Sequence, residues 1–463
     1  MVTLVVTQEL FGTIVAAAHD PVETAGVLLA SVVPTPSGDI RLLAREILWV
    51  DPNAYEIRED DELVIRSEGY VQALKQAESI GAFCLWLHTH PGDGFSPIPS
   101  DRDQKVDDQI SELFRLRSGS KYYGAIIFSP ERQGVSFTGW VQAEDDTSHP
   151  IERIWQVGSR MRMLHAYGMR PEGVGLSTQF NRNIKAFGPA IQETLGDLTV
   201  GIVGCGGTGS VVAEQLVRLG VRTVIVIDPK ELSASNVTRV YGSTASDVGR
   251  PKVAILQEHL LRIAPDLRCQ IIQSLVTEET TARSLIGCDI IFGCTDDNAG
   301  RMILSRLSSF LLVPVIDCGV LLSSNSESEL TGIDGRVTVL YPGTACLICR
   351  GRIDLARARA ESLPPDERDE LVRQGYAPAL GDIEPAVVNF TSLVGSFAVT
   401  ELLERLIGYG IEPPPNEILL RCHDREISTN VVVPKERHFC HYESGKIGAG
   451  ITEPFLEIAW GAK

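Results

Sequence analysis

The sequence predicts an α/β protein of two domains, the second a doubly wound parallel sheet. Three observations carry that expectation. The chain has 463 residues, more than one hydrophobic core ordinarily serves and enough for two domains of about 150 to 200 residues. Short apolar runs of strand length alternate with stretches of helical spacing. A glycine loop, Gly204-Cys205-Gly206-Gly207-Thr208-Gly209, stands where such a run gives way to such a stretch, the place where a strand turns into a helix.

In the first part, strand-like runs at 26–30, 47–50, 83–87 and 124–128 accompany a helix expected over 70–79. Residues 151–166 carry apolar and aromatic side chains at roughly helical spacing, and Gly and Pro between 167 and 175 mark a boundary. The expected division is therefore a first domain over 1–147, a helical linker over 148–175 and a second domain over 176–463. In the second domain, strand 198–203 runs through the glycine loop into helix 210–219. Strand 223–227, helix 252–263, strands 271–275 and 289–292 and helix 299–311 follow, the alternation of a Rossmann-like sheet. A crossover over 350–381 and an apolar helix over 387–407 complete it.

Composition narrows the function. The net charge of −18 reflects 60 acidic against 42 basic residues, and no Lys/Arg cluster is long enough to track a phosphate backbone, so no nucleic-acid partner is expected. The acidic balance reads most simply as a solvated surface. No apolar run approaches the ~18 residues that span a bilayer, so no membrane role is expected. Residues 1–10 lack the basic start and long apolar stretch of a secretory signal, which predicts a cytoplasmic protein. The ten cysteines are scattered, several inside apolar runs where a thiol is a small buried hydrophobe. Cys346-x-x-Cys349 alone has deliberate spacing.

Two constellations carry chemistry. In Trp86-Leu87-His88-Thr89-His90, two histidines one residue apart at the end of an apolar strand project to one side, as two imidazoles on one zinc ion require. Asp103, in Pro99-Ser100-Asp101-Arg102-Asp103, supplies a third ligand and leaves a fourth position open; Asp101 is the alternative if the register shifts. Glu23, just before an apolar strand, is the carboxylate placed to take a proton. A bland reading stands beside this one: the histidine pair is incidental and Ser100-x-x-Asp103 is a helix capping pair.

The glycine loop sets Gly204, Gly206, Gly207 and Gly209 where backbone approaches phosphate at a helix N-terminus. Asp228 closes the next strand, in place for a ribose hydroxyl. These features alone are equally those of an NAD-binding unit. Asn236, Arg239 and Lys252 add an amide and two cations suited to a triphosphate, and Asp296, after another strand, is placed to hold Mg2+. Hydride transfer needs neither, so ATP is the expected nucleotide.

The order Glu23, His88-Thr89-His90-Pro91, Ser100-x-x-Asp103 resembles the JAB/MPN/JAMM metalloprotease family, over about a third of the chain. The resemblance implies a catalytic Zn2+ on His88, His90 and Asp103, with Glu23 as general base and Ser100 stabilising the oxyanion. The nine residues between His90 and Ser100 exceed the family's usual gap. Residues 176–440 resemble the ThiF/MoeB/HesA superfamily of ubiquitin-activating-type enzymes. Phe180-Asn181-Arg182-Asn183-Ile184 matches its arginine-bearing lead-in; Gln179 in place of the lead-in's first arginine, and Val240 after Arg239 where a glutamine is common, are departures. The resemblance implies adenylation of a C-terminal glycine carboxylate, and makes Arg182 a finger reaching into the ATP site of a partner subunit, hence a homodimer.

Cys346 and Cys349 match half of that superfamily's structural zinc site. Cys440, with Glu443 where a last cysteine is expected and His438 or His441 nearby, offers an incomplete second half; loss of this second, structural zinc and a redox pair are the other readings. No cysteine lies between 350 and 421, so no internal thioester carrier is expected. The expected partners are a ubiquitin-like or sulfur-carrier protein ending in glycine and, downstream, a conjugating-enzyme-like protein or a sulfur donor. The expected activities are activation by the second domain and zinc-dependent peptidase or isopeptidase processing by the first. Thiocarboxylate chemistry, and a first domain that only recognises the carrier, remain alternatives.

Overall fold

The computed structural model describes residues 1–463 except 61, 93–95, 133, 144, 146, 170–177, 326–328, 364–366, 368–372, 374–385 and 461–463. The chain divides into Met1–Val174 with Gly448–Ile451, and Gly175–Ile447 with Thr452–Lys463.

The first unit holds β1 (Val2–Thr7), α1 (Gln8–Ala18), β2 (Ala25–Pro34), β3 (Ile40–Trp49), β4 (Tyr55–Arg58), β5 (Leu63–Ile65), α2 (Glu68–Ile80), β6 (Phe83–Thr89), α3 (Asp101–Ser118), β7 (Tyr123–Glu131), β8 (Gly134–Gln142), β9 (Ser148–Val157) and β10 (Arg162–His165). The main sheet runs β1-β3-β2-β6-β7-β8-β9-β10, and β1 also pairs with β9, so the sheet closes on itself. Alternation of side chains divides its two faces. Leu28 of β2 and Leu85 and Leu87 of β6 pack with Phe11 and Ile14 of α1. Val27 and Trp86 pack with Ala73 and Leu74 of α2 and Phe114 of α3. His88 and His90 continue the parity of Trp86 and so fall on the α2/α3 face.

The helical linker expected over 148–175 is corrected: Ser148–Val157 and Arg162–His165 form β9 and β10. Closure of the sheet is the reason. β9 pairs with β1 and β8, and Ile151, Ile154, Trp155 and Val157 are all buried. A strand covered on both faces loses its period-two signature, and its apolar positions then also fit helical spacing.

The second unit holds α4 (Asn181–Phe187), α5 (Pro189–Asp197), β11 (Thr199–Val203), α6 (Gly207–Leu219), β12 (Thr223–Ile227), α7 (Lys252–Ile263), β13 (Arg268–Ile272), α8 (Glu279–Ser284), β14 (Ile290–Gly293), α9 (Asn298–Phe310), β15 (Val315–Ser324), β16 (Leu330–Leu340), α10 (Leu355–Glu361), α11 (Val388–Ile407), β17 (Glu417–Arg421) and β18 (Glu426–Thr429). Its sheet order is β13-β12-β11-β14-β15-β16-β17-β18. The strands from β13 to β15 are parallel, with reversal of strand order beside β11, and the last three add antiparallel. In such sheets ligands bind at the carboxyl ends of the strands, where the order reverses. The strand expected over 271–275 lies at 268–272, paired residue for residue with β12; it is an edge strand with a half-exposed face, so its apolar signal is weak. Much of the crossover expected over 350–381 lies outside the described residues; its described start carries α10.

Candidate functional site

In the first unit the end of β6 is locked to the start of β2. The Thr24 N–H donates to Thr89 Oγ1 at 3.0 Å, and the Thr89 N–H donates to the Thr24 carbonyl at 3.0 Å. Glu23 is thereby held beside the histidines; it is buried, and its charge acts on His90. Across the site, α3 starts with Ser100 as N-cap in a capping box. Asp103 Oδ2 accepts from the Ser100 N–H and from Oγ, both at 2.7 Å. This cap turns the carboxylate toward the histidines. The capping reading and the ligand reading of Ser100-x-x-Asp103 are one geometry.

The donor atoms meet in a triangle. His88 Nε2 lies 3.3 Å from His90 Nε2, Asp103 Oδ1 3.2 Å from His88 Nε2, and Asp103 Oδ2 3.5 Å from His90 Nε2. A tetrahedral ion with ~2.0–2.1 Å bonds to nitrogen and oxygen has edges of about 3.3 Å. The Asp103 edges run to its two oxygens, one toward each histidine, and the set of three residues, with donor atoms within 4.8 Å of one another, fits zinc. His90 Nδ1 lies 3.1 Å from the Ser96 carbonyl, which can only accept, so Nδ1 donates there and fixes the ring. His88 Nδ1 is buried without a partner among the described residues. Burial opposes ionisation of Asp103, yet hydrogen bonds from both histidines hold it well below the usual carboxylate range. Asp101, exposed, is not among the converging donors.

In the second unit Cys346, Cys349, His438 and Cys440 converge, their donor atoms all within 4.8 Å of one another. Cys349 and Cys440 sulfurs are 3.7 Å apart, and His438 Nδ1 lies 3.6 Å from Cys346 Sγ and 3.2 Å from Cys440 Sγ. Tetrahedral edges for ~2.3 Å Zn–S bonds are about 3.8 Å. The donor set fits a closed zinc site, with His438 as the histidine; His441 instead accepts from the Glu443 N–H as a local cap. The hydrogen bond from Cys440, against burial, brings the Cys346 thiol down to about 6, and the same contact pushes Cys440 up.

The nucleotide-type site sits on β11, β12 and β14. Gly204 has φ +98°, and a Cβ there would strike the Cys294 backbone; a Cβ on Gly209 would overlap the Gly204 carbonyl, so the loop closes against its neighbour. Gly206 differs: a Cβ there meets nothing within 4 Å, which leaves an open face for a ligand. On the far side of the loop Gly207 packs against Thr391 of α11. Asp228 ties the loop to β12, accepting from the Cys205 N–H at 2.7 Å and the Lys230 N–H at 2.8 Å.

Lys252 is the first residue of α7 and only 7% exposed. Among the described residues its ammonium has no hydrogen-bond or ion-pair partner. A cation on a largely buried side chain at a helix N-terminus stands against the helix dipole and calls for an anion. Asn236 and Arg239 stand half-buried before it; Asn236 Oδ1 accepts from the Ser233 N–H at 3.3 Å and Arg239 donates to the Ser235 carbonyl at 3.0 Å. After β14, Asp297 caps α9 through the Gly300 N–H and accepts from the Thr295 hydroxyl. Asp296 has no hydrogen-bond partner among the described residues, and its charge acts on Arg301. The free carboxylate fits a magnesium ligand. Arg182, on α4, is exposed and makes no hydrogen bond or ion pair among the described residues.

The model of the ThiF family matches residues 180–439, more than half the chain. The chain belongs to the ThiF family. Within this family it is similar to the sulfur carrier protein ThiS adenylyltransferase of Escherichia coli (strain K12), 29% identical over 231 residues, 50% of this chain and 79% of that protein. It is also similar to the molybdopterin-synthase adenylyltransferase of the same organism, 26% identical over 258 residues, 54% of this chain and 91% of that protein. The ubiquitin-like modifier-activating enzyme 5 of Caenorhabditis briggsae is 26% identical over 230 residues, and this chain spans only 48% of its length. The ThiF match leaves residues 1–179 outside it. Among the described residues no helix is long and apolar enough to cross a membrane.

Sequence reasoning missed Glu361, Arg301 and Thr391, which border the same site from α10, α9 and α11. Glu361 stands 63 residues from its contact Asn298, so no spacing signal could find it.

Proposed function

We propose that the second unit adenylates the C-terminal carboxylate of a ubiquitin-like or sulfur-carrier protein, with ATP and Mg2+, and that the first unit is a zinc-dependent peptidase or isopeptidase acting on that protein or its conjugates. The single observation that carries the first half is the largely buried Lys252, without a hydrogen-bond or ion-pair partner among the described residues, whose charge acts on Cys205 of the glycine loop in a ThiF-family chain. In the reaction a carboxylate oxygen of the carrier bonds to the α-phosphorus of ATP. The bond to the β-phosphate oxygen breaks, and pyrophosphate leaves. Gly204, Gly206, Gly207 and Gly209 cradle the phosphates; Asp228 accepts from the ribose; Asn236, Arg239 and Lys252 hold the charge that builds on the departing pyrophosphate. Asp296 binds magnesium. Arg182, exposed and without an ion pair among the described residues, completes the site of a second copy, making the active form a homodimer.

The acyl adenylate then passes to a thiol of a conjugating-enzyme-like protein or to a sulfur donor. Sulfur-carrier chemistry is the second reading, favoured by the likeness to the ThiS adenylyltransferase; a thiocarboxylate product rather than a lysine conjugate would establish it. For the first unit, support comes from the triangle of His88, His90 and Asp103. Zinc bound there supplies a Lewis acid for amide hydrolysis. Glu23 takes and returns the proton, and Ser100, now donating to Asp103, reaches an oxyanion by turning its hydroxyl toward the substrate.

Two substitutions test the pair of sites. Asp296→Ala should abolish ATP–pyrophosphate exchange and leave zinc content and cleavage of a ubiquitin-like fusion unchanged; Glu23→Gln should do the reverse. A folded variant that loses both activities by either change would contradict two separate sites, and a wild-type first unit that binds no zinc would reduce it to a recognition module.

A further inference from the structure

Glu361 closes α10, at the start of the crossover segment. Its Oε2 accepts from the N–H groups of Asn298 at 2.6 Å and Ala299 at 2.9 Å, in the first turn of α9. Its Oε1 accepts from Arg357 Nε at 3.0 Å, and the side chain is only 11% exposed. A second contact runs alongside: the Asp354 N–H donates to Asn298 Oδ1 at 2.9 Å. Asp354 also caps α10, accepting from the N–H groups of Ala356 and Arg357 at 2.8 and 3.1 Å. The start of the crossover is thus pinned to Asn298 and Ala299. Its far end enters α11, where Thr391 stands against Gly207 and Gly395 against the Thr208 carbonyl. Both ends of the crossover meet the nucleotide-type site.

An ordinary helix cap does not require this. Asp297 already fills the N-cap position of α9, so Glu361 is a second carboxylate on the same helix start, brought from 63 residues away. A third, Asp296, stands next to them. We propose that Glu361 is a positioning residue: by occupying the Asn298 and Ala299 N–H groups it keeps Asp296 from folding back onto them and leaves its carboxylate turned toward Mg2+. The physical basis is that exposed N–H groups at a helix start attract the nearest carboxylate through charge-assisted hydrogen bonds. Both oxygens of Asp297 are already engaged, by the Gly300 N–H and the Thr295 hydroxyl, so without Glu361 the carboxylate left to take them is Asp296. The inference rests on the adenylation reading, in which Asp296 binds magnesium.

The test measures ATP binding by the full-length protein, calorimetrically, over a range of magnesium concentrations and in EDTA, with no carrier present. In Glu361→Ala the magnesium concentration for half-maximal enhancement of ATP binding should rise about tenfold, the worth of one or two charge-assisted hydrogen bonds, while ATP affinity in EDTA stays within about twofold. Glu361→Gln keeps an acceptor oxygen and should recover most of that loss; Arg357→Ala, which frees the carboxylate, should shift in the same direction by less. Equal weakening of ATP binding with and without magnesium in Glu361→Ala and Glu361→Gln would show a purely structural cap and overturn the proposal. An unchanged magnesium dependence in both, with Asp296→Ala losing it, would overturn the proposal and leave the adenylation reading standing. An unchanged dependence in Asp296→Ala would overturn both.

Discussion

The two zinc-type clusters are assembled by opposite routes. His88, His90 and Asp103 come from one strand end and the helix start that soon follows, and they offer three donors with Glu23 alongside. Cys346, Cys349, His438 and Cys440 join two turns 92 residues apart and close a shell of four. A three-donor set leaves a coordination position for a substrate or water, whereas a four-donor set of cysteine and histidine completes the ion and holds the chain. The difference teaches that the first cluster should matter to chemistry and the second to folding.

The largest expected effect breaks the comparison at its structural end. Cys346→Ser should remove the metal from the second unit and destabilise it by several kcal/mol, since structural zinc binding is folding free energy; zinc content and thermal unfolding would show both losses together. His88→Ala should lose one zinc and all peptidase activity while the unfolding transition of the second unit keeps its midpoint. Equal stability losses from the two changes would erase the distinction.

Lys252→Met comes next and extends the comparison to a buried group held by no metal. ATP affinity should fall about a hundredfold, as expected when a charged contact to phosphate is lost. Stability without nucleotide should hold or rise, because the change removes a cation on a largely buried side chain that has no ion-pair partner among the described residues. Isothermal titration and thermal unfolding separate the two effects, and a marked loss of apo stability would show that Lys252 has a structural partner.

The smallest effect sharpens the picture within the first unit. Asp107, one turn along α3 from Asp103, is pushed up to about 6 by burial, against the hydrogen bond that Tyr123 donates at 2.5 Å. A carboxyl raised in the folded state holds its proton more tightly there than when unfolded. Its stabilising contribution is therefore present below about pH 4 and is lost as pH rises through about 6. Against Asp107→Asn, the wild type should lose about 1–2 kcal/mol between pH 4 and pH 7 in denaturant titrations, allowing for its partial exposure. A flat difference would exclude a raised Asp107.

Much of this arrangement could be read from the residues. Period-two alternation placed His88, in β6, and His90, just past its end, on one side, and the strand-loop-helix pattern placed the glycines, Asp228 and Asp296 at one sheet edge. The reading failed where tertiary pairing, not local pattern, decides. Closure of the first sheet buries both faces of β9 and erased its strand signal. The choice of His438 over His441 depends on a turn that points one ring at the sulfurs and engages the other in capping Glu443. Asp296, chosen from sequence, stands beside Asp297, and the cap of α9 engages Asp297 while Asp296 has no hydrogen bond among the described residues. Glu361 reaches that loop through a distant helix, without any motif.

The central claim is tested most directly by intact-mass spectrometry of small proteins from a native lysate, incubated with the Glu23→Gln variant, ATP and Mg2+. The account predicts a small protein ending in glycine and heavier by one AMP, absent when Asp296→Ala replaces the active second unit. No adenylate under these conditions, together with tight binding of NAD in place of ATP, would contradict it.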